Sequence, residues 1–252
     1  MSDNATNPKV YIHEFIDIVG LNRANYIHHM TANWGPIGQA ERDQLCFGVW
    51  PVIGSTGRWP EVVNMWELDG WEGIALGFSL EGSGKAGYDP SLEKWWAHAA
   101  DFRRGGIDRL VVPAPWNRTI EELCADGVNG VCYAHELVAV TPGRAHDLLD
   151  RVQETGEGLV REFDWEPVGA FRTAMANDDE CILIWAIPTW EAWTTFEYAA
   201  DADSALAHWR RSLDDIVTGW DRVLMVDAPL CPLRTGRQPR VEDRVAWDAP
   251  QA

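Results

Sequence analysis

Residues 11–18 read YIHEFIDI and residues 133–140 read YAHELVAV, so a Tyr-x-His-Glu stretch with alternating apolar residues occurs twice in the chain. Two further blocks recur in the same order: VVNMWELDGWE (62–72) with CILIWAIPTWE (181–191), and GIDRLVVPAP (106–115) with GWDRVLMVDAP (219–229). Composition alone does not produce three matches in one order at nearly constant spacing. Self-similarity of this kind indicates a repeated structural unit, and we infer a tandem duplication.

Each copy predicts the same series of elements. Alternation of apolar and polar residues predicts a first strand, a helical stretch follows, and two strands joined by turn residues come next. A second helical region and a fourth strand close the copy. This order, β-α-β-β-α-β, is that of the ferredoxin-like unit. One such sheet has a bare face that a second sheet can cover, so the predicted fold class is α+β, with tandem ferredoxin-like repeats forming a dimeric-α/β-barrel-type body.

The repeat also predicts how the chain is divided. The predicted segments are a flexible N-terminus (1–9), a first repeat (10–116) with a Gly-rich loop or lid (79–90), a linker (117–131), a second repeat (132–230) and a tail (231–252). Because the tail is rich in Pro and Arg and lacks periodicity, we expect it to be disordered or to lie on a partner subunit.

Composition limits the classes of partner. The formal net charge of −18 over 252 residues argues against nucleic acid and anionic membrane, which both need a basic surface. No apolar run is long enough for a membrane span, and the polar N-terminus predicts no signal peptide. Five cysteines without CxxC spacing favour reduced thiols in the cytoplasm and no metal site. We expect a monomer or homodimer.

A family resemblance rests on two stretches, HELVAVTPGRAHDLL (135–149) and LIWAIPTWEAWTTFE (183–197). They resemble the NIPSNAP-like branch of the dimeric α/β-barrel superfamily. The resemblance implies a ferredoxin-like fold. It also implies relatives that include cofactor-free monooxygenases, lyases, isomerases, EthD-like proteins and the haem-binding chlorite dismutase and dye peroxidase groups. A fold of this kind hosts several chemistries, so the residues must carry any functional argument.

Strand alternation assigns side chains to faces. On the first strand it places Tyr11, His13, Phe15 and Asp17 on one face, which we expect to look into a space between the two sheets. The isoleucines of this strand then lie on the helix-covered face. His13 is the candidate acid or base because the reference pKa of histidine, about 6.5, suits neutral pH. A structural histidine is the alternative, since His135 repeats it.

The third strand extends this face. Here alternation predicts that Asn64 and Trp66 lie on the same face as His13. Trp185 is the equivalent of Trp66 in the second copy. Where the first copy has Asn64, the second has Leu183. Polar groups facing an apolar interior need a reason, because each costs about 1–3 kcal/mol when unpaired. Water at an open mouth is one reason, and a substrate site in the first copy is the other and the one we predict.

The predicted site therefore draws on both copies. The predicted catalytic residues are His13, Asp17, Tyr11 and Asn64, and the predicted substrate-binding residues are Phe15, Trp50, Trp66, Tyr133, His135 and Trp185.

Two glutamates and two helical histidines complete the set of candidates. Glu14 and Glu136 lie on the aliphatic face, where we expect each to pair with a strand arginine such as Arg109 or Arg222. Helical spacing predicts that His29 points to solvent. No cofactor is expected; if haem binds, His208 in ALAHWRR is the candidate ligand.

The leading functional hypothesis is a cofactor-independent enzyme for a small hydrophobic or aromatic metabolite. It would use acid–base chemistry of the isomerase, lyase or cyclase type in a Trp-lined pocket, which the 15 tryptophans could supply. The alternatives are a non-catalytic protein that binds an apolar ligand or haem, and a cofactor-free monooxygenase.

Overall fold

The computed structural model describes residues 6–82 and 90–244, which fall into two compact units. The first-copy unit contains Pro8–Leu110, Thr119–Gly127 and the chain from Asp227. The second-copy unit contains the chain up to Asn7, Val111–Arg118 and Val128–Val226.

The first-copy unit has four strands with helices between them. Its strands are β1 (Val10–Ile18), β2 (Leu45–Pro51), β3 (Glu61–Leu68) and β4 (Arg103–Pro113), hydrogen-bonded in the order β2-β3-β1-β4. Its helices are α1 (Arg23–His28), a π-helical segment (His29–Trp34), α2 (Gly35–Arg42), α3 (Gly70–Glu81), α4 (Pro90–Ala99) and the short α5 (Ile120–Ala125).

The second-copy unit repeats this order. Its strands are β5 (Cys132–Val140), β6 (Glu166–Thr173), β7 (Glu180–Ile187) and β8 (Val217–Met225), in the order β6-β7-β5-β8. Its helices are α6 (Ala145–Arg151), a π-helical segment (Val152–Gly156), α7 (Glu157–Arg161), α8 (Trp190–Asp201) and α9 (Ala205–Arg211). The last residues of β4, Val111–Pro113, pair with β6. The predicted fold class, α+β with two β-α-β-β-α-β units, is confirmed.

Both copies carry a π-helical segment at the same point of their first helical region. In the first copy His29 begins this segment and is 3% exposed, stacked on Trp95 of α4 with ring centroids 5.4 Å apart. Burial lowers its pKa to about 4. The prediction that His29 points to solvent is wrong, because α4 packs against this side of the helix and covers the ring.

Cross-strand pairing decides which side chains share a face. β1 and β3 are antiparallel, with Glu14 opposite Asn64 and Ile12 opposite Trp66. Opposed residues of an antiparallel pair point to the same side, so Asn64 and Trp66 lie with Glu14 and not with His13. The prediction that they share a face with His13 is wrong. Alternation within one strand does not fix its register against the next, and a slip of one residue moves every side chain to the other face.

The second copy shows the same register. Trp185 is opposite Ala134, and Leu183 is opposite Glu136, so neither lies on the face of His135. We call the two sides the glutamate face and the histidine face. The glutamate face carries Ile12, Glu14, Asn64 and Trp66 in the first copy, and Glu136, Leu183 and Trp185 in the second. The histidine face carries Tyr11, His13, Phe15, Asp17 and Trp50 in the first copy, and Tyr133 and His135 in the second.

The described part of the predicted tail, residues 231–244, contacts the first-copy unit. The amide side chain of Gln238 accepts from the backbone N–H of Cys46 and donates to the Cys46 carbonyl, both at 2.9 Å. The short helix α10 (Pro232–Thr235) precedes it, and its Leu233 is buried. Helix α10 and Gln238 therefore pack on the first-copy unit, which corrects the expectation of disorder or of packing on a partner subunit for residues 231–244, whereas residues 245–252 lie outside the described residues.

Two other predicted segments lie partly outside the described residues. Of the predicted flexible N-terminus, residues 1–5 are outside them, whereas Asn7 donates its backbone N–H to Pro115 and Lys9 forms an ion pair with Asp69. Of the predicted lid, residues 83–89 are outside them, and residues 79–81 end helix α3. No helix in the described ranges is both long and apolar enough to cross a membrane.

The contact between Gln238 and Cys46 gives a first prediction. Replacing Gln238 by Ala leaves the buried N–H and C=O of Cys46 without these partners, so we expect the free energy of unfolding in urea to fall by about 1–3 kcal/mol. Gln153→Ala is the control, because that side chain is exposed and should change stability by less than about 0.5 kcal/mol. Equal effects of the two substitutions would contradict the packing of the tail on β2.

Candidate functional site

Two predicted catalytic residues of the histidine face, Tyr11 and Asp17, are each bound by a neighbouring side chain. The Tyr11 hydroxyl donates to the Glu67 carboxylate at 2.9 Å, and Glu67 also accepts the backbone N–H of Ile120 at 2.9 Å. Glu67 is buried, which raises its pKa. Asp17 pairs with Arg58 at 2.8 Å near the surface. These contacts engage Tyr11 and Asp17 in fixing the fold locally.

The remaining histidine-face residues of the first copy are aromatic. His13 is fully buried, with its ring 5.0 Å from that of Phe15 in an edge-on arrangement. Trp50 is also fully buried and donates its indole N–H to Asp227 at 2.8 Å. A catalytic role for His13 stays a prediction.

The second-copy members are similarly buried. The Tyr133 hydroxyl accepts the backbone N–H of Gly130 at 3.2 Å, and His135 is 1% exposed. Where the first copy buries Glu67, the repeat places Ala186. The histidine face therefore holds seven of the ten predicted site residues and separates them from Asn64, Trp66 and Trp185.

Both carboxylate oxygens of the second-copy glutamate, Glu136, accept hydrogen bonds. Glu136 Oε2 accepts the indole N–H of Trp185 at 2.9 Å, and Oε1 accepts two N–H groups of Arg222 at 2.7 and 2.5 Å. Arg210 lies 3.7 Å from the same Oε1. Burial alone would raise the pKa of Glu136, but the charges of Arg222 and Arg210 hold it below its ordinary value. The predicted pairing of Glu136 with Arg222 is confirmed.

The first-copy glutamate repeats only half of this arrangement. Glu14 Oε2 accepts the indole N–H of Trp66 at 2.8 Å and the amide of Asn64 at 3.1 Å. Oε1 has no donor among the described residues and is not fully enclosed. Glu14 is thus a half-buried carboxylate with one oxygen fixed and one open.

The charges around Glu14 also differ from those around Glu136. Burial and the negative charge of Asp108 raise the pKa of Glu14, and the Trp66 hydrogen bond and the Arg103 charge only partly offset this. Arg109, the repeat counterpart of Arg222, lies over the Phe15 ring at 5.7 Å. The predicted pairing of Glu14 with Arg109 is therefore wrong.

Strand β4 passes close to β1, and its arginine is placed differently from the one in β8. Gly106 lies so close to β1 that a Cβ would stand 2.1 Å from the Phe15 carbonyl oxygen, and Gly105 has φ +147°. In the second copy Arg222 is directly opposite Glu136. In the first copy the equivalent Arg109 lies over Phe15, and the positive charge near Glu14 comes from the buried Arg103.

Two buried residues position the open carboxylate. The Asn64 amide that donates to Glu14 also donates to the Tyr26 hydroxyl at 2.7 Å, and both residues are fully buried. Burial raises the pKa of Tyr26 far above its ordinary value, so this phenol stays protonated. The Arg103 guanidinium stacks on Trp96 at 3.6 Å and near Trp95 at 5.3 Å. This network ties β1, β3, β4 and the helices together around Glu14.

Sequence reasoning assigned Glu14 a structural role and did not consider Tyr26 or Arg103. The repeat held one usable signal, because Glu14 and Glu136 are equivalent while the strand segment before Arg109 has Gly105 where the second copy has Thr218. The pairing of helix α1 with Asn64 depends on tertiary packing and had no sequence signal.

Haem does not fit the candidate ligand His208. Its Nε2 pairs with Asp203 at 2.9 Å, and the side chain is 61% exposed on α9. An axial histidine needs a free ring nitrogen directed into a sheltered site, which His208 does not provide. Within residues 6–82 and 90–244, no group of three or more His, Cys, Asp or Glu side chains could hold a metal ion.

Comparison with known proteins shows the fold. No protein-family model matches the chain, and no curated protein matches its sequence. A candidate monooxygenase from Lactobacillus acidophilus superposes with a TM-score of 0.57 at 11% identity, over 88% of this chain and 95% of its own. An anthrone oxidase-like protein superposes with a TM-score of 0.57 at 11% identity, over 89% of this chain and 95% of its own.

The NIPSNAP resemblance is matched only in part. A NIPSNAP domain protein from Burkholderia xenovorans covers 40% of this chain and 98% of its own at 16% identity, with a TM-score of 0.35. The neighbours have ferredoxin-like, dimeric α/β-barrel folds, and the chain shares that fold with the monooxygenase-type and anthrone oxidase-like structures.

Substitutions at Glu136 and Glu14 should have different effects on the free energy of unfolding. The lowered pKa of Glu136 means that its ionised form stabilises the fold above the ordinary glutamate pKa, and that this stability is lost as pH falls through the lower folded pKa. We expect Glu136→Gln to cost about 3–5 kcal/mol at pH 7 in urea unfolding, with the deficit shrinking in acid. The raised pKa of Glu14 has the opposite sign, so Glu14→Gln should be neutral or stabilising at pH 7. Equal losses at pH 7 would contradict the difference in charge environment.

Proposed function

We propose that the chain is an enzyme that removes a proton from a small aromatic or phenolic molecule, with Glu14 as the base. The observation that carries the proposal is the open Oε1 of Glu14 beside an Oε2 held by Trp66 and Asn64. A carboxylate with a raised pKa is a stronger base than an exposed one and can also return the proton as an acid. The equivalent Glu136 lacks both properties.

The chemical step follows from these contacts. Glu14 Oε1 takes a proton from a carbon or oxygen next to the ring or carbonyl, leaving an enolate or phenolate. Asn64 and Trp66 keep the carboxylate in position, and the Arg103 charge offsets the added negative charge nearby. Tyr26 is fully buried, so it acts as a positioning residue through Asn64.

The fate of the anion separates the reaction classes. Return of the proton to a different atom gives isomerisation, and loss of a leaving group gives a lyase reaction. Reaction with O2 is the monooxygenase alternative, in which a CH2 group takes up one O2, releases one water and becomes a carbonyl. The fold neighbours described as a candidate monooxygenase and as anthrone oxidase-like support a carbon acid as substrate. Proton removal is the first step of all three reactions.

Deuterium exchange tests that shared step. We expect the protein to accelerate exchange of the acidic CH2 protons of anthrone in D2O, followed by proton NMR, and Glu14→Gln to slow it about a hundredfold or more. The rate should rise with pH through a pKa above the ordinary glutamate value of 4.5. An oxygen electrode run in parallel distinguishes oxygenation from isomerisation.

Glu136→Gln is the matched control for this assay. Measured at a temperature where circular dichroism shows that it is folded, it should exchange anthrone at the wild-type rate. Equal rates for Glu14→Gln and the wild type would refute the role of Glu14. Saturable binding of anthrone without accelerated exchange would support a non-catalytic ligand-binding protein instead.

The histidine pair is tested in the same assay. If His13 contributes to proton transfer, His13→Ala should reduce the exchange rate by about a hundredfold, whereas His135→Ala should leave it nearly unchanged. Equal losses in both variants would show that the two histidines serve the fold. A loss only in His135→Ala would place the site in the second copy.

A further inference from the structure

The fourth strand of each copy carries the same pair of charged residues, Asp108-Arg109 in β4 and Asp221-Arg222 in β8. In the second copy Arg222 is opposite Glu136, so its side chain lies on the glutamate face. Successive residues of a strand point to opposite sides. Asp221 therefore lies on the histidine face of the second copy.

In the first copy the two side chains exchange faces. The Arg109 guanidinium lies 5.7 Å from the centroid of the Phe15 ring, and Phe15 belongs to the histidine face. Asp108 directly precedes Arg109, so its side chain lies on the glutamate face. There its negative charge acts on Glu14. The first copy thus places an anion beside its glutamate where the second copy places a cation.

The charge beside Glu14 is negative on balance. Glu14 and Asp108 are two carboxylates, and Arg103 is a single cation that acts on both. The Arg103 side chain is buried, with its guanidinium stacked 3.6 Å from the centroid of the Trp96 ring. Asp108 is exposed, so its charge stands on the solvent side, from which a substrate would reach the open oxygen of Glu14.

We propose that Asp108 determines specificity at the Glu14 site, which takes an uncharged aromatic carbonyl or phenol and rejects a substrate that carries a carboxylate. The inference rests on the function proposed for Glu14 and narrows its substrate class. A ligand carboxylate would add a third negative charge against a single guanidinium, and bringing like charges together is unfavourable. Repulsion of a competing ligand is one of the two physical sources of specificity.

The indole N–H signal of Trp66 in NMR spectra tests the proposal. Trp66 donates to Glu14 Oε2 at 2.8 Å, so this signal senses ligands at the carboxylate, and it is assigned by its loss in Trp66→Phe. We expect uncharged 2-naphthamide to move the signal in a saturable way. The anion 2-naphthoate, which has nearly the same shape, should bind about tenfold or more weakly at pH 7. Added salt should reduce the difference, because the repulsion is between charges.

Two aspartate variants complete the experiment. Asp108→Asn removes the repelling charge at nearly constant shape, so we expect it to bind 2-naphthoate about fivefold or more tightly than the wild type. Its affinity for 2-naphthamide should stay within about twofold of wild type. Asp221→Asn is the matched control, because this exposed aspartate of the second copy lies on the other face and should leave the preference unchanged.

The outcomes separate this proposal from the proposed function. Equal binding of the two ligands by the wild type, no saturable shift with either up to about 10 mM, an unchanged preference in Asp108→Asn, or an equal change in Asp221→Asn would each overturn it. Binding is read without turnover. A protein that prefers 2-naphthamide through Asp108 but does not exchange the anthrone protons would refute Glu14 as the base and still support the selection by charge.

Discussion

The hydrogen bond from a third-strand tryptophan to a first-strand glutamate is the interaction on which the rest of the structure depends. It occurs in both copies at nearly the same length, 2.8 Å from Trp66 to Glu14 and 2.9 Å from Trp185 to Glu136. A carboxylate on a helix-covered sheet face is costly unless its charge is compensated. Each copy therefore has to place donors and cations around it, and the two copies do so differently.

In the second copy the compensation is complete. Arg222 stands directly across the strand pair from Glu136, so the ladder register itself supplies the salt bridge. Arg210 from α9 adds a second positive charge. The carboxylate is thereby fixed as a structural anion.

In the first copy the same scaffold leaves the carboxylate only partly compensated. Gly106 lies close to the Phe15 carbonyl, and Arg109 lies over the Phe15 ring instead of pairing with Glu14. Asp108 then contributes a like charge, and the carboxylate keeps one oxygen open. Raised-pKa carboxyl groups are typical of proton-transfer sites. Duplication permits this division, because one copy can hold the charge-compensated network while the other departs from it.

The sequence by itself determined the duplication, the β-α-β-β-α-β order and nearly every strand, because these follow from local alternation and from matching blocks such as 62–72 and 181–191. It also paired Glu136 with Arg222, since the repeat aligns them on neighbouring strands. Only the tertiary structure decided that Asn64 and Trp66 lie on the same sheet face as Glu14. The register between two strands determines which of their side chains share a face, and the alternation within one strand does not fix that register. The burial of His29 likewise depends on α4, whose Trp95 covers the ring, and the raised pKa of Glu14 depends on its burial and on the charge of Asp108. These are distances between elements, which the order of residues along a single strand or helix does not encode.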